Sequence, residues 1–124
     1  MSTASDSREP IERRIYDHCL GTGDPSGHLI DHGSFPPGWV GKFDELLAEA
    51  KARWGSESMV PKPLVAALFF ASFFPEYRYS YGMARDHRGQ GNEQTERDMT
   101  HLRSVSGMFL SEVARPIPPD GARD

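Results

Sequence analysis

The stretch His28-Leu29-Ile30-Asp31-His32 is the most specific chemical pattern in the chain. Residues four apart share one face of an α-helix, so His28 and His32 could present two imidazole nitrogens to one metal ion, with Asp31 beside them. His18, Cys19 or Asp17 would supply a third ligand if the preceding helix lies alongside. His18 and Cys19 are sequence neighbours, and neighbours on a helix point about 100° apart, so adjacency alone makes no activated thiol. Cys19 falls on an apolar stripe and reads as a small buried hydrophobe. A second cluster, Arg85, His87 and Arg88, leads into Gly89-Gln90-Gly91 and a helix start. Free N–H groups there could hold a phosphate or carboxylate. Glu93 and Glu96 place negative charge at the same helix start, as the dipole favours for stability alone.

The order His-x-x-Asp-His resembles the inverted zinc-peptidase motif His-x-x-Glu-His, with Asp31 where that family carries glutamate. The resemblance implies a zinc ion on His28 and His32 and a water activated by Asp31, on an arm shorter than the family's base. It spans five residues of 124 and assigns no family. The two histidines also suit a structural role, because Gly33 ends their helix and a helix C-terminus favours them. No Walker loop, dinucleotide fingerprint, Cys-x-x-Cys pair, kinase set or serine-hydrolase elbow is present, so no local signature points to an enzyme. No cofactor is expected, with zinc as the alternative.

These residues must be positioned by helices. Pro10 to Leu20 opens with a proline suited to a first helical turn and closes at Gly21, with Ile11, Ile15 and Cys19 every four residues. Asp24, Pro25 and Gly33 bracket a short helix that carries the histidine pair. Trp39 to Trp54 puts Val40, Phe43, Leu46, Leu47, Ala50 and Trp54 on one face, and Gly55 ends it. Glu93 to Arg115 follows Asn92 as N-cap and carries Met99, Leu102, Val105, Phe109 and Val113. Gly107 costs that helix up to ~1 kcal/mol against alanine, and close packing on another helix is the expected compensation.

Between them lies the greasiest part of the chain. Leu64 to Phe74 is apolar at every position except Ser72. A membrane span needs about 20 such residues, so the run reads as a core helix that Pro75 closes. Phe69, Phe70, Phe73 and Phe74 occupy both faces, which leaves either full burial in one chain or a second face covered by another subunit. Tyr77, Tyr79 and Tyr81 alternate, and in an extended segment they would share one side.

The whole chain carries 14 basic and 18 acidic side chains, a net charge of −4 that argues against a non-specific nucleic-acid binder. Its single cysteine excludes an internal disulfide. The first residues show no basic segment followed by an apolar run, so a cytoplasmic location is expected. The polar residues 1–9 and the Pro-rich residues 116–124 read as tails around a single domain over 10–115. The sequence therefore predicts an all-α fold, a small bundle of about four helices around a buried, mostly apolar central helix. The expected function is a non-enzymatic protein-protein interaction or homodimer-forming module. It would act through Phe69, Phe73, Tyr77, Tyr79 and Tyr81, with itself or another protein as partner and neither membrane nor nucleic acid. The alternative is a small metal-binding protein or metal-dependent hydrolase using His28, His32, Asp31 and His18.

Overall fold

A computed structural model describes residues 9–86 and 92–113, and among these it contains five α-helices and no strand. They are α1 (Ile11–Leu20), α2 (Ser26–His32), α3 (Trp39–Trp54), α4 (Lys62–Asp86) and α5 (Glu93–Val113). The described residues hold five helices against an expected count of about four, and the short histidine-bearing segment forms the helix that Asp24, Pro25 and Gly33 bracket.

Local signals explain most of the boundaries. The Asp24 carboxylate accepts the Ser26 N–H at 2.9 Å at the start of α2. Gly33 closes that helix in the left-handed region at φ 72°, its N–H donating to the Leu29 carbonyl at 2.9 Å. Glycine reaches this backbone conformation without the Cβ clash other residues incur. The Asn92 side-chain oxygen accepts the Thr95 N–H at 3.1 Å, capping α5 where the sequence places the cap.

The major departure is α4. Its 25 residues run through Pro75, which the sequence reads as a stop. Proline inside a helix withholds one N–H and crowds the preceding turn, a cost of ~3 kcal/mol. Tertiary packing offsets it here, since the Pro75 ring is fully buried. α4 packs against α1, α2 and α5, and α3 against α1 and, more lightly, α5. The long helix is central, as expected, but it is covered on one face only. Leu64, Ala67, Leu68, Phe70, Ala71 and Tyr79 are buried in a core shared with Ile15, Leu29, Phe43, Leu102 and Phe109. The opposite face is open.

Two contacts fix α2 on this scaffold. At Gly82 a Cβ would sit 2.5 Å from the Ile30 carbonyl oxygen and 2.9 Å from its Cα, so only glycine lets the two backbones approach this closely. From α5, the buried Thr95 hydroxyl donates to the Gly33 carbonyl at 2.7 Å. Gly107, by contrast, is exposed, and a Cβ there would meet nothing within 4 Å. The close packing expected at Gly107 is absent. Its neighbour Ser106 is the small residue that faces inward, fully buried and without a hydrogen-bond partner for its hydroxyl.

Candidate functional site

The exposed face of α4 is built by spacing alone. Val65, Phe69, Phe73, Tyr77 and Tyr81 follow one another at intervals of four, which on a helix makes a continuous ridge. Their exposures are 38, 53, 56, 67 and 55%. Phe74 lies beside the ridge and is 37% exposed. The rings support one another: Phe69 and Phe73 have centroids 4.8 Å apart, and Phe70 and Phe74 stack at 5.4 Å. A shallow depression of about 440 Å³ is lined by Phe73, Phe74, Glu76, Tyr77 and Ser80.

The face is electrically quiet. Between Val65 and Tyr81 the sequence holds only two charged residues, Glu76 and Arg78. Glu76 accepts a hydrogen bond from the Arg103 guanidinium at 2.5 Å. Arg78 donates to the Ser26 hydroxyl at 3.3 Å and lies over the Phe74 and Tyr77 rings at 5.6 and 5.7 Å.

Continuation of the helix past Pro75 corrects the reading of the tyrosines. In an extended chain Tyr77, Tyr79 and Tyr81 would share a side; in α4 they do not. Tyr77 and Tyr81 join the open ridge. Tyr79 turns into the core, where its hydroxyl accepts the Asn92 N–H at 2.5 Å. Tyr79 therefore belongs to the packing of α4 against the start of α5. Phe69 and Phe73, read as candidates for a core helix or a subunit contact, are exposed within one chain.

The histidines are placed as their spacing demands, but without a third ligand. The His28 and His32 rings converge, with centroids 4.4 Å apart and planes tilted by 45°. His28 uses Nδ1 on the Ser34 carbonyl at 2.8 Å, so that nitrogen carries the proton and Nε2 is the one left to a ligand. Among the described residues no group of three His, Cys, Asp or Glu side chains is arranged to hold a metal ion. His18 is engaged elsewhere. Its Nε2 bonds the Trp39 carbonyl at 2.9 Å, and its ring stacks on the indole at 4.3 Å. Since a carbonyl can only accept, Nε2 carries the His18 proton. The Trp39 indole N–H donates in turn to the Gly23 carbonyl at 2.7 Å and to the His18 carbonyl at 3.2 Å.

Burial lowers the His18 pKa, outweighing the Trp39 backbone hydrogen bond that raises it, and nearby Lys42 lowers it further. Cys19 is fully buried, and burial, helped by the charge of Asp24, pushes its thiol far above the ordinary range. It is a core residue with no thiolate to offer at neutral pH. A cavity of about 180 Å³ beside His18 is lined by Arg14, Asp17, Thr22, Lys42 and Leu46. Arg14 is already paired with Glu49, whose carboxyl this hydrogen bond holds below its usual range. Of the anion-binding candidates, Arg85 contributes its backbone to the last turn of α4, and His87 and Arg88 lie outside the described residues.

No helix among the described residues is long and apolar enough to cross a membrane. Compared with protein-family models, with curated proteins and with solved structures, the chain matches none.

Proposed function

We propose that this chain is a non-enzymatic interaction module whose binding surface is the open aromatic face of α4. The observation that carries the reading is the ridge Val65, Phe69, Phe73, Tyr77 and Tyr81, each more than a third exposed along a helix whose other face is core. Half-exposed aromatics in line are costly to leave in water and are the residue type that dominates binding energy at interfaces. A monomer's largest apolar patch is itself often functional. Lipid is a poorer fit than protein. Helices that lie in a bilayer surface combine an apolar face with a Lys/Arg-rich one, and the single basic residue between Val65 and Tyr81 is Arg78, bonded to Ser26.

The test is photo-crosslinking in cells that make the protein, with benzoylphenylalanine at position 77. A discrete protein adduct from that position, and none from the exposed Glu57 outside the ridge, is expected. Adducts of equal yield from both positions, or none from position 77, would remove the reading.

A further inference from the structure

We infer that the occupant of the α4 face is a second copy of the same chain, paired antiparallel about a two-fold axis at Phe73; this rests on the docking reading above. The ridge reads nearly the same in both directions from that residue. Reversal about Phe73 places Phe69 opposite Tyr77, Val65 opposite Tyr81, and Ala66 opposite Ser80. Aromatic meets aromatic on both sides of the axis, and a small residue meets a small residue beyond them. A two-fold contact requires this kind of self-match, because the same patch must serve both partners.

Electrostatics points the same way. Near a two-fold axis a charge meets its own copy, and like charges brought together are unfavourable. Glu76 and Arg78 are the charges nearest Phe73 on α4, and each is engaged within its own chain, by Arg103 and by Ser26 and two aromatic rings. Of the two, Glu76 is paired with an opposite charge of its own chain, and Arg78 is tethered to Ser26.

The size of the face is adequate. Aromatic side chains carry roughly 200 Å² each, so Phe69, Phe73, Phe74, Tyr77 and Tyr81 at 37 to 67% exposure offer on the order of 500 Å². That is well over half of the ~800 Å² each partner contributes to a standard interface. Val65, Ala66 and Ser80 extend it along a ridge about 24 Å long. Ridges made of residues four apart pack at a helix crossing of about −50°, which brings positions 69, 73 and 77 to the centre of the contact.

Light scattering of the purified full chain over a concentration series is expected to show twice the 13.9 kDa chain mass, falling to the single mass on dilution. Phe73→Glu should hold the single mass throughout with unchanged helix content by circular dichroism. Cysteine pairs then read the register. Phe73→Cys should link to itself on mild oxidation, and Phe69→Cys should link to Tyr77→Cys but not to itself. Linkage of Phe69→Cys to itself would mean a parallel pairing and would overturn the proposed one. A single mass at every concentration would overturn self-pairing altogether. If crosslinking at position 77 still gave an adduct of another mass, the docking reading would stand with a different partner; with no adduct, both would fall.

Discussion

His18 shows how a residue chosen for its chemistry can be held for its shape. Its ring stacks on the Trp39 indole and its Nε2–H is held by the Trp39 carbonyl, so the ring's position is set by packing against α3. Burial favours the neutral ring, so the folded pKa lies below the ~6.5 of a free imidazole. A base with a lowered pKa contributes its full stability above the unfolded value. That contribution is lost as pH falls from about 6.5 through the folded midpoint, where the unfolded chain binds the extra proton. An NMR titration of the His18 ring should give a midpoint below 6.5, and a midpoint at or above it would show that this packing does not desolvate the ring. The convergence of His28 and His32 was readable from their spacing of four. The commitment of His18 was not, because its partner Trp39 lies 21 positions away and the contact depends on how α1 meets α3.

Among the elements, α3 and the start of α5 announce themselves through periodicity and caps, at Gly55 and Asn92. α4 conceals itself. Pro75 is a strong local stop signal, and only burial among α1, α2 and α5 overrides it. Two glycines separate local cost from tertiary use. Gly107 sits in mid-helix with open space around it, so Gly107→Ala should raise stability by up to ~1 kcal/mol. Gly82 lies on the Ile30 backbone, so Gly82→Ala should force α2 away from α4 and lower stability by roughly 1–3 kcal/mol. Urea unfolding of the two variants should move the midpoint in opposite directions. A shared direction would mean that α2 is not seated as described. Position 82 carries no sequence signal for this contact, because a helix read as closing at Pro75 leaves the glycine in the segment beyond it.

At the scale of the molecule, the all-α class and the central place of the apolar helix were legible, because hydrophobic period and composition decide them. Which side of that helix is covered was not. Leu64 to Phe74 is greasy all round, and a run without a polar face gives no orientation. The answer comes from the helices that lie against it, which leave the Phe73 side in water. The quiet electrostatics of that side has a thermal consequence. An association made of apolar rings loses strength on cooling and carries a negative heat-capacity change, while sodium chloride, which screens exposed charges, has little on the Phe73 ridge to act upon. If the ridge pairs with its own copy, dilution calorimetry should find the two chains separating more readily in the cold than at room temperature, with a temperature dependence that sodium chloride leaves nearly unchanged. A protein built this way would assemble in response to warmth, and screening by sodium chloride would leave that response little changed.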